Sequence, residues 1–366
     1  MIIGVLKEEA GPRVALTPDV VKRLTEHNQV FIESGAGSDT FIADAEYEEA
    51  GATIGKRDDI VGKTTLLLSI LPPDQQVLSS LPEGATVISS FRPYEDVNIP
   101  EQLSQYPITV FSMDMLPRTT LAQDKDILSS MASMAGYRSV LEAATHLPRY
   151  FPMLTTAAGS IPPAKVLVLG AGVAGLQAVA TAKRLGAVVE AFDTRPAVRE
   201  EVQSLGAKFV EVEGARDDKD AGGYAVDQTE EYKQKQRELI YEKATKSDVI
   251  ITTALLRGKK APILITKEMV EQMKPGSVIV DLAAAGGGNC ELTQNNATIE
   301  HHGVTIIGDS TLEAKMPMHA SQLFAKNIFN FLKVLLKEGE LVLDMENLLI
   351  KGPCIVYQGK NVYEVK

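Results

Sequence analysis

The chain has 366 residues, 45% of them hydrophobic and 23% charged, with a formal net charge of -11. That length exceeds what one hydrophobic core usually supports and points to two folded domains, while the acidic balance disfavours a nucleic-acid partner. Two cysteines, Cys290 and Cys354, form neither a disulfide framework nor a metal-ligand spacing, so a reducing compartment is expected and no metal.

The first residues, MIIGVLKEEAG, lack a basic run followed by an apolar stretch. They read as a strand over residues 2–6, not as a signal peptide. Thr17-Pro18 opens a helix, with Thr17 as N-cap, Pro18 at the first helical position and Val20, Val21 and Leu24 on the apolar face. Further strands are predicted at 29–33, 65–71, 86–90 and 108–111. Their separation by helix-length segments implies parallel βαβ units. A long helical stretch runs from about 121 to 150, closed by Pro148 and Pro152, and residues 154–164, with Gly159, Pro162 and Pro163, read as a linker. A second series follows at 165–169, 188–192, 209–212, 249–252, 277–282 and 304–308. Six strands is the count of a dinucleotide-binding domain. Residues 320–336 carry Phe324, Ile328, Phe331 and Leu335 at helical spacing, and 341–363 is β-like; both are expected to return to the first domain. No run of 18 apolar residues exists, so no membrane span is expected, and work at a membrane would need another chain.

The most informative local motif is Gly170-Ala171-Gly172-Val173-Ala174-Gly175. It sits directly after a buried strand and directly before a helical pattern. Gly170 permits the tight turn, Gly172 lets backbone approach a pyrophosphate, and Gly175 lets helix pack close to strand. The helix N-terminus then offers unpaired N–H groups and positive potential to phosphate. Asp193 ends the next strand, 21 residues after Gly172. A carboxylate there accepts hydrogen bonds from the adenosine ribose and repels a 2′-phosphate, which selects NAD(H) over NADP(H). Arg195 argues the other way, and Asp193 carries more weight because it stands at the strand end.

The stretch TTAAGSIPPAKVLVLGAGVAGLQAVATAKRLGA, residues 155–187, resembles domain I of the proton-translocating nicotinamide nucleotide transhydrogenases, to which the alanine dehydrogenases are related. The resemblance extends along the chain through LKEEAGPRVALTPDVV, RTTLAQDKDILSSMASMAGYRSV, DAGGYA, ITTALLRGKKAPILIT, MKPGSVIVDLAAAGGGN and SQLFAKNIFNFL. It implies that Arg118, Gln123, Asp126 and Ser129 serve the nicotinamide end of NAD(H), with Gln123 reaching the partner nucleotide or its ribose during transfer. Arg118, Gln123 and Asp126 are the implied catalytic residues. It implies a mobile loop closing with Gly222, Gly223 and Tyr224, and contacts to the nucleotide from Val173, Thr194, Arg195 and Leu255. Departures are Leu121, where the family usually has arginine, Asp124-Lys125 in place of Ser-Met, and the run Thr311 to Lys315.

Oxidising an amine or alcohol needs a base to take a proton as hydride leaves. The alanine dehydrogenases carry a lysine and a histidine for this. Here Leu71 stands in the lysine's place and Arg92 or Pro93 in the histidine's. Hydride exchange between two nicotinamide rings needs no such pair, only rings held close with water kept out. The five histidines, His27, His146, His301, His302 and His319, read as solvated or helix-end residues, with His301 and His302 exposed ahead of a strand. Arg13 fits either a carboxylate site or a fold-stabilising role, and Asp126 either a nicotinamide site or an ion pair with Arg118. Glu230 and Glu231 read as a solvated helix start. The run Gly286-Gly287-Gly288 looks like backbone approaching a ligand, and the Cys290 thiol beside it reads as buried and inert.

The expected fold is two α/β Rossmann-like, doubly wound parallel-sheet domains with a cleft between them. The first takes residues 1–136 plus 319–366, and the NAD-binding domain takes 137–318. The resemblance implies a Re/Si-specific, proton-translocating NAD(P)+ transhydrogenase subunit, active only with NADP(H) held on a partner component and with a membrane component. It also implies a homodimer, located in the cytoplasm and peripheral at the inner face of the membrane through its partners. The alternatives are an alanine dehydrogenase-type amino-acid dehydrogenase and a non-enzymatic NAD(H)-binding module.

Overall fold

The computed structural model of the chain describes residues 1–212, 229–255 and 258–364. It contains two compact units, one made of Met1–Met131 with Ala314–Lys366 and the other of Ala132–Glu313. Both are α/β, as the alternation of apolar runs and helical segments predicts.

In the first unit, strands β1 (Ile2–Val5), β2 (Gln29–Glu33), β3 (Thr53–Gly55), β4 (Leu66–Leu68), β5 (Thr86–Ser89) and β6 (Thr109–Ser112) pair in parallel in the order β3-β2-β1-β4-β5-β6. This is the doubly wound order, with helices needed on both faces. Alternate residues accordingly enter different cores: Leu66 and Leu68 face one, Leu67 the other. Strand β4 stops short of the predicted 65–71 because the N–H groups of Ile70 and Leu71 donate to the Glu8 carboxylate, at 2.6 and 3.1 Å. The first helix, Pro18–Leu24, starts where predicted, but the Thr17 hydroxyl donates to Asp19 Oδ1 at 2.5 Å and no side chain caps the helix.

The long helix is Ile127–His146, shorter than predicted at both ends. A 3-10 turn, Thr120–Lys125, precedes it, and Asp126 between them is extended, with ψ 95°. The Asp126 carboxylate accepts from the Ser129 N–H at 3.0 Å and from its hydroxyl at 2.6 Å. That is N-cap geometry, with the side chain taking the N–H of the third helical residue, and it sets the start of the helix at Ile127 rather than near 121. Residues 154–164 are not an irregular linker: β7 (Leu154–Thr156) and β8 (Gly159–Ile161) form an antiparallel hairpin on the surface.

The second unit holds β9 (Lys165–Leu169), β10 (Val188–Phe192), β11 (Lys208–Val210), β12 (Val249–Thr252), β13 (Val278–Asp281), β14 (Thr298–His301) and β15 (Val304–Ile307). Their order is β11-β10-β9-β12-β13-β15-β14, all parallel except β14, which runs antiparallel along β15. The six predicted strands are present, and β14 is a seventh. Its residues are only half-buried or exposed, which blurs the apolar alternation that marks a strand. Val166 and Val168 pack into one core, Leu167 and Leu169 into the other.

The chain then returns to the first unit through the helix Pro317–Leu335, whose Phe324, Ile328, Phe331 and Leu335 are buried. Phe331 meets Phe111 edge to face, with centroids 5.8 Å apart, a geometry that adds about 1 kcal/mol beyond burial. After the small ribbon β16 (Leu336–Lys337) and β17 (Glu340–Leu341), and the short helix Leu348–Lys351, β18 (Cys354–Tyr357) pairs antiparallel with β6, and β19 (Lys360–Asn361) with β18. No helix among the described residues is long and apolar enough to cross a membrane.

Candidate functional site

The three glycines of the 170–175 turn are required for different reasons. Gly170 has φ 100°, and a Cβ there would stand 2.4 Å from Thr253 Oγ1. At Gly175 a Cβ would fall 1.8 Å from the Gly170 carbonyl oxygen, so glycine alone allows the helix to sit on the strand end. Gly172 is unlike them. An added Cβ would meet nothing nearer than the Arg195 guanidinium, at 3.8 Å, so the backbone here faces open ground. Gly172 is also the N-cap of the helix Val173–Arg184, and no side chain caps it. Val173 is exposed at its first position. Uncapped N–H groups behind an open glycine form a cradle for phosphate oxygens, and the donor set fits a dinucleotide pyrophosphate.

Asp193 lies at the end of β10 and is buried. Its carboxylate accepts from the Ala171 N–H at 2.7 Å, which fastens it to the glycine turn. Arg195 grips the same carboxylate through Nε at 2.9 Å, Nη2 at 2.7 Å and its own backbone N–H at 2.9 Å. Thr194, between them, is half-buried. Tyr232, to which nothing in the sequence pattern pointed, is buried nearby. Burial first, and then the negative charges of Asp193 and Glu211, push its phenol upward. A tyrosine early in a charged helix carries no signal of this proximity.

In the first unit, Arg118 and Gln123 are exposed, and Asp126 and Ser129 are half-buried and hydrogen-bonded to each other as described. The 3-10 turn that carries Gln123 is held against the return helix. Asn327 Nδ2 and Asn330 Nδ2 donate to the Asp124 carbonyl at 2.9 and 3.0 Å, and Ser130 Oγ donates to Asn327 Oδ1 at 2.8 Å. Buried Lys125 donates to the Leu121 carbonyl at 2.9 Å and to Asp124 Oδ1 at 2.5 Å. Leu121 itself is exposed. Asn327 was invisible in the sequence because its partners lie some 200 residues upstream. Arg13 Nη1 donates to Met131 Sδ at 3.5 Å. Arg92 is exposed and pairs with Glu95 at 3.7 Å, Pro93 is buried, and Leu71 brings only its backbone N–H to Glu8. None of the three supplies a group able to exchange a proton near neutral pH.

Gly223 and Tyr224, with Gly222, lie outside the described residues. Leu255, after β12, is exposed. In the glycine run 286–288 the protein's own side chains stand where a Cβ would go. A Cβ on Gly288 would meet Thr293 at 2.8 Å and Asp281 Oδ2 at 2.9 Å, and one on Gly286 would meet Leu255 at 3.2 Å. Gly288 lies against the buried Asp281 carboxylate, which accepts from Thr252, Ala283, Asn289, Cys290 and Thr293. His301 is placed differently from the expectation: it ends β14, is half-buried, and contacts Glu271 at 3.1 Å. Its hydrogen bond is the main cause that holds the Glu271 carboxyl below its usual range. His302 completes a group of three possible ligand atoms within 4.8 Å of one another. That group sits at the β14–β15 turn, beside the N-terminal end of β15, whereas the glycine turn lies at the C-terminal end of β9.

Residues 4–135 match the family model of the alanine dehydrogenase/PNT N-terminal domain, and residues 139–364 that of its C-terminal domain. The chain is 43% identical over 377 residues to an NAD(P) transhydrogenase subunit alpha polypeptide of Rhodospirillum rubrum, covering 99% of this chain and 98% of that protein. The crystal structure of transhydrogenase from Sinorhizobium meliloti superposes with a TM-score of 0.91 at 42% identity, covering 99% of this chain and 100% of that one. The alanine dehydrogenase of Mycolicibacterium smegmatis is more distant, 30% identical over 295 residues, which is 79% of this chain and 74% of that protein.

Proposed function

The chain belongs to the alanine dehydrogenase/PNT family, on its NAD(P) transhydrogenase subunit alpha branch, and from that premise we propose that it is the NAD(H)-binding component of a Re/Si-specific, proton-translocating transhydrogenase. The observation that carries this reading is the open glycine cradle with the buried carboxylate of Asp193 fastened to it at 2.7 Å. The helix N-terminus behind Gly172 and Val173 holds the pyrophosphate. Asp193, with Thr194 and Arg195 beside it, receives the adenosine ribose. Leu255, Gly223 and Tyr224 add contacts to the same nucleotide.

The bound nucleotide supplies a ring that gives or takes hydride. The chain's task is orientation and exclusion of water, because exchange between two nicotinamides needs no proton at the carbons. Arg118, Asp126 and Ser129 act on the nicotinamide end, and Gln123 acts on the ring or ribose of NADP(H) brought by a partner. The absence of a titrating group at Leu71, Arg92 and Pro93 supports this over amino-acid oxidation. A membrane partner couples the exchange to proton movement. The chain works as a homodimer, at the cytoplasmic face of that membrane component.

The test mixes the full chain with an NADP-binding transhydrogenase component and follows reduction of an NAD+ analogue by NADPH. Transfer is expected only with both components present. Oxidation of alanine by the chain alone would instead establish the dehydrogenase alternative. NADH binding without any transfer in the mixture would establish a binding module.

A further inference from the structure

In a doubly wound sheet, ligands sit outside the C-terminal ends of the strands where the strand order reverses. In the second unit that point lies between β9 and β12. Gly170 follows the first strand, and Thr253, Ala254 and Leu255 follow the second. The two segments are tied together: Thr253 donates through its N–H to the Leu169 carbonyl at 2.8 Å and through Oγ1 to the Gly170 carbonyl at 3.1 Å. Beyond Thr253 the ladder ends, and something else must hold the backbone that walls the crevice.

That holder is Asn289, which reaches across from the turn after β13 and is fully buried. Its Oδ1 accepts from the Ala254 N–H at 2.9 Å, and its Nδ2 donates to the Ala254 carbonyl and to the Pro262 carbonyl, both at 2.8 Å. Its own carbonyl accepts from Leu264 and Ile265 at 2.7 and 3.0 Å. Its N–H donates to Asp281 Oδ2 at 2.8 Å. The amide thus pairs with Ala254 as a neighbouring strand would, and it clasps both ends of the segment 254–262. Two facing carbonyls demand two donors and the facing N–H demands an acceptor. Among side chains of this size only asparagine offers that set, and aspartate would set a carboxylate against two carbonyl oxygens.

We propose that Asn289 is a positioning residue for the nicotinamide half of the bound dinucleotide, acting through the backbone of Ala254 and Leu255. This rests on the reading that the 170–175 turn holds NAD(H). Asp193 at the end of β10 assigns the adenosine half to the β9–β10 side, so the β12 side takes the other mononucleotide.

The experiment measures NADH and AMP binding to the full chain by calorimetry, with folding checked by thermal melts. Asn289→Ala is expected to weaken NADH roughly tenfold, the effect of one or two lost buried hydrogen bonds, and to leave AMP unchanged. Thr293→Val removes the 2.6 Å bond to Asp281 without touching Ala254, and is expected to preserve both affinities. If the alanine variant does not fold, Asn289→Ser, which keeps one polar contact, carries the same expectation. The inference is overturned if the two ligands weaken together, if NADH binding is unchanged, or if Thr293→Val gives the same split. A wild-type chain that binds neither ligand overturns the nucleotide reading itself, and the inference with it.

Discussion

Arg195 closes on Asp193 from two residues away, meeting both carboxylate oxygens, at 2.9 Å through Nε and 2.7 Å through Nη2. The arginine that by sequence argues for a 2′-phosphate is therefore neutralised by the acid that argues against one. Asp193→Ser removes the negative charge beside the guanidinium. NADH affinity is expected to fall by at least about tenfold, and the ratio of NADPH to NADH affinity to rise, since the guanidinium charge is then no longer offset by this carboxylate and suits phosphate. Titration with both nucleotides checks this, and an unchanged ratio contradicts the pairing's role in selection.

Gln123 is exposed on a turn whose backbone Asn327 and Asn330 hold in place. Shortening it by one methylene in Gln123→Asn leaves that anchorage intact. Hydride transfer with an NADP-binding component is expected to slow by up to about a hundredfold, the scale of a small misplacement at a reacting centre. NADH binding should stay near wild type. Single-turnover transfer and equilibrium binding, measured on the same sample, separate the two.

Glu8 offers a pH test. Burial pushes its carboxyl upward from 4.5, against the opposing pull of the Ile70 and Leu71 N–H groups, Arg13 and Arg57. A carboxyl raised on folding favours the folded state in its protonated form. Its contribution is full below the unfolded value and is lost as pH rises through the folded value. Glu8→Gln lacks this dependence, so its stability relative to wild type should improve as pH increases above 4.5. Urea unfolding across that range would show a flat difference if Glu8 titrated alike in both states.

Burial pushes the Cys290 thiol up to about 11 and the Cys354 thiol up to about 12. At a pH of about 8 the thiolate fraction is then roughly one in a thousand or less, and the thiolate is the nucleophile. A disulfide reagent should label neither cysteine in the folded chain within minutes, and both after urea. Rapid labelling of the folded chain would show that one thiol reaches solvent.

Gly136, in the helix Ile127–His146, carries the close approach to the helix behind the glycine turn. A Cβ there would stand 2.1 Å from the Ala174 carbonyl oxygen. Gly136→Ala must push the two backbones apart, and overpacking of this kind costs about 1–3 kcal/mol. The urea midpoint should drop with little change in slope, and NADH binding should weaken because the displaced turn is the proposed phosphate cradle. Full retention of both would mean the helices have room to spare.

The sequence by itself determined what rests on local backbone rules. The glycines of the 170–175 turn, the acid at the end of the following strand, and the apolar runs buried on both sheet faces all declare themselves within a few residues. The missing acid/base pair at Leu71, Arg92 and Pro93 is legible only through the family resemblance, which says where such a pair would stand. The tertiary structure alone decided which polar groups meet. It set Asn289 against Ala254 and Pro262, and Asn327 against Asp124. It set Gly288 against the protein's own Asp281. A hydrogen bond between residues far apart in the chain leaves no periodicity behind, because its geometry exists only after the strands have brought its two ends together.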